Sequence, residues 1–95
     1  MGQPGADAKG RRLQASASVV AVAIKRYHRD HHRFPPSLQQ LVPSYVSAIP
    51  AKPELLFDLK HKLLTYSYTP SWPQAGEVIC SCALGETEFQ CVGTL

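Results

Sequence analysis

The sequence predicts an α+β fold: a long N-terminal helix and a short second helix, packed on a three- or four-stranded antiparallel meander. Two patterns along the 95 residues support this fold class. In the first third of the chain, apolar residues recur at steps of three and four, which is typical of a helix with one packed face. From Leu55 onward the period changes to two and β-forming residues dominate, which indicates strands.

The composition indicates one globular domain. Apolar residues make up 44% of the chain and charged residues 18%, and a chain of this length has room for a single hydrophobic core. We expect residues 11–95 to form this domain and residues 1–10 to be a flexible tail or an added leader. The longest apolar run, 19–24, is far shorter than the ~20 residues of a membrane span, so we expect an export signal or anchor to have been removed or never present.

The first helix is predicted from its apolar stripe and ends at two prolines. Pro35 and Pro36 cannot donate backbone hydrogen bonds and disfavour helical geometry in the residue before them. The opposite face is polar and basic. The stripe consists of Leu13, Ala17, Val20, Ile24, Tyr27, His31 and Phe34.

A second, short helix is predicted directly after these prolines. Ser37 and Gln40 have the spacing of a capping box, and Pro43 should end the helix within about two turns. The three prolines of residues 43–53 predict an extended, irregular connector. The strands are then expected at residues 55–59, 63–69, 78–84 and 88–94, with turns at 60–62 and 85–87 and a longer loop at 70–76.

The three cysteines lie in the last two predicted strands, so the hairpin register decides which of them can pair. If residues 85–87 form the turn and Leu84 faces Phe89, Cys82 lies opposite Cys91, and we predict a disulfide between Cys82 and Cys91. A hairpin slipped by two residues would pair Cys80 with Cys91 instead. A disulfide implies an oxidising compartment, whereas three reduced thiols would suit a cytosolic domain. The spacing lacks a fourth ligand for zinc.

His28, His31 and His32 form a cluster near the end of the first helix. Their spacing could bring two imidazoles to one metal ion, but only Asp30 is nearby to complete a site, and it points to another side of the helix. The alternative is a helix C-terminus enriched in positive charge, which the helix dipole favours. We predict no metal and no other cofactor.

The basic residues of the first helix and the tryptophan of the long loop are the candidate contact residues. Arg26, Arg29 and Arg33 line one helical face, yet without interleaved aromatic residues we expect no nucleic acid. Trp72 is either an exposed recognition residue or a lid over the core. No nucleophile elbow or glycine-rich phosphate loop is present, so we expect no enzyme activity and no catalytic residues.

Residues 21–53 resemble the region that follows the membrane helix in type IV pilins and type II secretion pseudopilins. Those proteins have an alanine-rich helix, a tyrosine, an Asp-His-Gly-Arg-Tyr-Pro-like run, Ser-Leu-x-x-Leu, and an Ile-Pro-x-x-Pro-like connector. Here the matching residues are Tyr27, Asp30, His31, Arg33, Phe34, Pro35, Ser37, Leu38, Leu41, Pro43, Tyr45, Ile49, Pro50 and Pro53. The resemblance covers about a third of the chain and implies a pilin-like head domain.

Two positions depart from the family pattern. His32 replaces the usual glycine, and Lys52 replaces the aspartate of the Asp-Pro-Trp-Gly sequence, so we expect no calcium site. The family's prepilin leader and hydrophobic helix are not found in the sequence. We therefore expect attachment to a membrane only through an anchor that these residues lack.

The resemblance implies a non-catalytic head of an exported bacterial protein, in the periplasm or at the cell surface. It would be anchored to the inner membrane if the full-length protein carries the pilin helix. Its partners would be other pilin-like subunits or secretion components. The contact candidates on the first helix are Val19, Val22 and Ala23, if they remain exposed. The alternative is a stand-alone secreted binding module, an adhesin or inhibitor, that shares only the architecture.

Overall fold

The computed structural model describes residues 8–69 and 76–93 and has the predicted α+β class. One long N-terminal helix is followed by a four-stranded antiparallel sheet with strand order β1-β2-β3-β4. No helix in the described ranges combines the length and hydropathy needed to cross a membrane. The elements are α1 (Ala8–His31), a 3-10 turn (Leu38–Leu41), β1 (Leu56–Asp58), β2 (Leu63–Tyr68), β3 (Val78–Ala83) and β4 (Gln90–Gly93).

Helix α1 packs through the predicted stripe. Ala17, Val20, Ile24 and Tyr27 are at most 7% exposed, while His31 at the end of the stripe is exposed. Helix α1 includes residues 8–10, which were predicted to belong to the flexible tail.

The end of α1 is set by His32, before the prolines are reached. His32 has φ 58°, in the left-handed region, and its backbone N–H donates a 2.8 Å hydrogen bond to the carbonyl of His28. A residue with left-handed backbone directly after the last helical turn ends the helix, and its N–H donates a hydrogen bond to one of the carbonyl groups near the helix end. This position is usually glycine.

The predicted second α-helix is a single 3-10 turn, Leu38–Leu41. Ser37 makes no side-chain capping bond. Only six residues separate Pro36 from Pro43, which is too short for an α-helix to repay its nucleation cost. Leu41, at the end of the turn, is fully buried and fixes it to the core.

The sheet has one buried and one exposed face, because side chains alternate along its central strands. Tyr66 of β2 pairs with Cys80 of β3, and both face the core. Thr65 pairs with Ser81 on the other face. The core unites α1 with the buried face of the sheet; its members on the strands are Leu64, Tyr66, Tyr68, Val78, Cys80 and Cys82.

The predicted Cys82–Cys91 disulfide is wrong, because the last hairpin has the register slipped by two. Cys80 lies opposite Cys91, the two Cα atoms are 4.0 Å apart, and the sulfurs are bonded. The last pair between β3 and β4 is Ser81 with Gln90, and six residues separate the end of β3 at Ala83 from the start of β4 at Gln90, so a wide loop replaces the tight turn. Leu84 and Phe89, which a tight turn would pair, are buried core residues of this loop.

Candidate functional site

The exposed surface of α1 carries an apolar patch that no other described element covers. Val19 is 57% exposed and Val22 is 43% exposed. With Ala15 and Arg26 they border a shallow depression of about 320 Å³ on the side of α1 turned away from the sheet. We call these four residues the helix ridge. Exposed apolar side chains beside an arginine form a surface that a partner could cover, since arginine is enriched at protein interfaces.

Of the three apolar contacts predicted on α1 if they remain exposed, Ala23 is buried, although it is part of the lining of the depression. It follows Val20 by three residues and precedes Tyr27 by four, so it lies on the packed stripe and is only 1% exposed. Its burial corrects that prediction. Val19 and Val22 remain available.

The three predicted arginines are exposed but do not form one continuous helical row. Arg26 and Arg29 lie on α1, whereas Arg33 lies beyond its end, after the left-handed His32. Arg29 Nε is 3.4 Å from Asp30 Oδ1, in a solvent-exposed pair that adds little stability. The positive charge of Arg26 lies at the end of the ridge.

Tyr45, which sequence reasoning did not select as a site residue, closes one end of the depression. Its hydroxyl donates a 2.8 Å hydrogen bond to Asp30 Oδ2, and the Arg26 guanidinium carbon lies 5.8 Å from its ring centroid. The bond lowers the pKa of Asp30 and raises the pKa of Tyr45. The sequence feature that could have indicated this role is the position of Tyr45, an aromatic residue within a proline-rich connector.

The histidine cluster is divided among separate aromatic contacts. The ring of His28 stacks on Phe34 at a centroid distance of 4.4 Å, and the ring of His31 stacks on Tyr27 at 4.1 Å. Across residues 8–69 and 76–93, no three His, Cys, Asp or Glu side chains are arranged to hold a metal ion. Trp72, the remaining contact candidate, lies outside the described residues.

A second concave surface lies on the exposed face of the sheet, beside the loop that joins β3 to β4. Its volume is about 620 Å³. We call it the sheet groove. Its described lining consists of Leu63, Ser81, Cys82, Ala83, Glu86, Thr87, Glu88 and Gln90.

The thiol at the base of this loop is buried and hydrogen-bonded. Cys82 Sγ lies 3.4 Å from the carbonyl oxygen of Ala83 and 3.3 Å from that of Glu86, and donates to both. Burial, followed by the charge of Glu86, raises the pKa of the Cys82 thiol. A protonated, buried thiol is a poor nucleophile, so Cys82 serves to hold the loop.

The helix ridge and the sheet groove therefore lie on opposite layers of the domain. The ridge is on the outer side of α1, and the groove is on the sheet face that α1 does not cover.

Comparison of the chain with known protein families, with curated proteins and with solved structures finds no match.

Proposed function

We propose that this chain is the non-catalytic, pilin-like head of an exported protein that acts in assembly or partner recognition in a secretion or pilus system. The observation that carries the proposal is the helix ridge. Val19 and Val22 are exposed in the middle of α1, although Val20 and Ala23 beside them are buried. Exposed valines on a helix that already has a complete packed face favour a second packing partner.

The architecture supports the pilin-like part of the proposal. A long helix covers one face of an antiparallel meander, and a disulfide joins the last two strands. His32 has a left-handed backbone at the position where the family has glycine, so the local geometry suits the family motif even though the residue departs from it.

The disulfide supports export. Cys80 is buried and bonded to Cys91, and such bonds persist in oxidising compartments such as the bacterial periplasm. We therefore place the domain in the periplasm or at the cell surface, held at the inner membrane if the full-length protein has the pilin helix.

In this proposal the partner binds to the ridge, and no catalytic step is involved. Covering Val19 and Val22 removes apolar surface from water, and Arg26 adds a charge that selects an acidic partner surface. The cation–π contact between Arg26 and Tyr45 limits the motion of the guanidinium, which lowers the entropy cost of binding.

Site-specific photo-cross-linking in the native cell tests the proposal. A photoreactive side chain replaces Val22 in one variant and Lys52 in the control, because Lys52 is exposed but borders neither surface. We expect protein adducts from position 22 only, identified by mass spectrometry as pilin-like subunits or secretion components. Equal adducts at both positions, or none at position 22, would contradict the proposal.

A stand-alone secreted binding module is the second candidate, and the sheet groove favours it. A concave surface lined by two glutamates together with apolar Leu63 and Ala83 suits a soluble ligand as well as a subunit. Cell fractionation separates the two candidates. Recovery of the protein free in the medium, without adducts to membrane or filament proteins, would favour the binding module.

A further inference from the structure

The charges of this chain are strongly segregated between its helix and its sheet. Residues 8–33 contain seven Lys or Arg and one Asp, whereas residues 34–95 contain three Lys or Arg and five Asp or Glu. The positive charge is concentrated on the layer formed by α1. The sheet layer is acidic overall.

The helix ridge combines this positive charge with apolar surface. Val19 and Val22 lie one to two turns before Arg26, and Lys25 and Arg29 add two exposed cations close by. The single acid of α1, Asp30, already accepts hydrogen bonds from Tyr45 and Arg29. A partner for the ridge therefore needs carboxylates beside an apolar patch.

The sheet groove has that composition. Glu86 and Glu88 stand beside Leu63 and Ala83, and its described lining contains no Lys or Arg. Leu63 is 37% exposed and Glu88 is exposed, so both are accessible. Ridge and groove thus match in both apolar character and charge.

The two surfaces cannot meet within one molecule. Helix α1 packs on the sheet face that holds Tyr66 and Cys80, and the groove uses the opposite face, where Leu63, Ser81 and Ala83 lie. Ridge and groove therefore point in opposite directions. They can meet only between two copies, in a heterologous head-to-tail contact, which leaves one ridge and one groove free at the ends unless the assembly closes into a ring.

A symmetric contact between two ridges is disfavoured by charge. A parallel pair of ridges would bring Lys25, Arg26 and Arg29 of one copy close to the same cations of the other. An antiparallel pair would bring these cations toward Arg11 and Arg12, because α1 is basic near both ends and contains one acid, Asp30. Like charges placed together at an interface suppress that arrangement.

We propose that the helix ridge binds the sheet groove of a second copy of this chain, which produces open head-to-tail assembly. This inference rests on the proposed assembly function and names the partner of the ridge. Arg26 and Arg29 face Glu86 and Glu88 of the next copy, and Val19 and Val22 cover its Leu63 and Ala83. Added salt weakens the contact, because its charged groups lie at the surface.

Two charge-reversed variants test this pairing by sedimentation velocity at low ionic strength. The ridge variant carries Arg26→Glu and Arg29→Glu, and the groove variant carries Glu86→Lys and Glu88→Lys. We expect the mass of the wild-type chain to rise with concentration beyond that of a dimer, and each variant alone to stay monomeric. An equimolar mixture of the two variants restores assembly, because every ridge then faces a groove of opposite charge.

The control variant Lys52→Glu, Lys60→Glu has the net charge of the ridge variant but alters neither surface, so it should assemble like the wild type. All substituted side chains are exposed, and circular dichroism is to be used to check that each variant is folded. A wild-type chain that stays monomeric, a reversed variant that still assembles alone, or a mixture that does not assemble would overturn the pairing.

The outcome is distinguishable from that of the proposed function. A monomeric wild-type chain whose position 22 still cross-links to another protein in the cell overturns the self-pairing and leaves the recognition role intact. A purified chain that assembles, but gives no adducts in the cell, supports the pairing and contradicts the recognition role.

Discussion

The hydroxyl of Tyr45 donates a 2.8 Å hydrogen bond to Asp30 Oδ2, which ties the proline-rich connector to the last turn of α1. The same ring lies 5.6 Å from the ring of buried Tyr27, measured between centroids, and 5.8 Å from the guanidinium carbon of Arg26. Tyr45 thus links the core, the helix end and the ridge. Its hydrogen bond is the largest cause of the lowered pKa of Asp30.

Replacing Tyr45 with Phe should raise the pKa of Asp30 toward its usual value. Phe keeps the ring contacts with Tyr27 and Arg26 but removes the donor that stabilises the ionised carboxylate. An NMR titration of the Asp30 side chain measures the change. Tyr27→Phe is the control, because that variant leaves the Tyr45–Asp30 bond in place. An unchanged Asp30 titration in Tyr45→Phe would show that the bond does not set this pKa.

Stability should fall in acid because the pKa values of Asp30 and Asp58 are both lowered by the fold. The backbone N–H of His61 donates to Asp58 Oδ1 at 3.0 Å, and its ring Nδ1 lies 2.7 Å from Oδ2. Because these two carboxyl groups bind protons less readily in the folded state than in the unfolded chain, they stabilise the fold at pH values above their usual pKa of 3.8. This contribution is lost as the pH falls through the lowered pKa values of the folded state. Urea unfolding at a series of acidic pH values measures the loss.

Asp58→Asn provides the control for this acid effect. Asn keeps an oxygen acceptor for the His61 N–H but does not titrate. We expect the acid-induced loss of stability to be smaller in this variant. The same loss in both proteins would mean that other carboxyl groups cause it.

Substitutions at two adjacent valines of α1 should have different effects, one mainly on stability and the other mainly on binding. Val20 is fully buried, so Val20→Ala leaves a core cavity and should cost about 2 kcal/mol of unfolding free energy. Val19 is 57% exposed, so Val19→Ala should change stability by less than about 0.5 kcal/mol but weaken binding through the ridge. Chemical denaturation measures the first effect and sedimentation the second. Equal destabilisation by both substitutions would contradict the packing of α1.

The disulfide should leave one thiol that is unreactive until the protein unfolds. Cys82 is 3% exposed and its pKa is raised by burial, so alkylation of the native protein should be slow. In denaturant, one equivalent of reagent should label Cys82, and peptide mapping should show the bond between Cys80 and Cys91. A labelled Cys80 would contradict this register.

Removing the disulfide should cost about 2–3 kcal/mol, the loop entropy expected for a bond between residues 11 apart in sequence. The variant for this measurement is Cys80→Ala, Cys91→Ala. Cys82→Ala is the matched control, since it removes a buried sulfur and its hydrogen bonds but leaves the Cys80–Cys91 bond intact. A greater loss in the control would mean that the Cys82 contacts, and not the disulfide, hold the hairpin.

The elements whose apolar residues recur with a long or clear period were predicted correctly from the sequence. The prediction failed for the register of the last hairpin, which is shifted by two residues, and for the short second helix. The stripe through Val20, Ile24 and Tyr27 predicted α1, because one packed face determines the periodicity. Alternation predicted the strands but not the register of β3 with β4, because Leu84 and Phe89 are equally suited to a strand pair or a buried loop. The propensity of Ser37 to cap a helix could not compensate for the prolines that shorten it.

Sequence reasoning predicted only part of the candidate site, because periodicity indicates the faces of a helix but not the contacts of irregular segments. Val19 and Val22 follow from their places on the helical wheel, whereas the burial of Ala23 depends on the width of the face that the core covers. The contact of Tyr45 with Asp30 joins residues fifteen apart through an irregular connector, and no periodicity encodes it. The groove around Glu86 exists because the last hairpin has a wide loop, and its prediction required the correct register.

The buried hydroxyl of Tyr66 should be dispensable for folding. Tyr66 is 1% exposed, and its hydroxyl has no hydrogen-bond partner within residues 8–69 and 76–93. Burial raises its pKa to about 12, so the phenol should ionise well above the usual range in an ultraviolet titration. Because Phe removes an unpaired polar atom and keeps the edge-to-face contact with Phe89, Tyr66→Phe should leave stability unchanged or raise it by up to about 1 kcal/mol. Tyr66→Ala, which opens a cavity, should cost about 3–5 kcal/mol. A clear loss of stability in Tyr66→Phe would show that the hydroxyl is hydrogen-bonded in the folded protein.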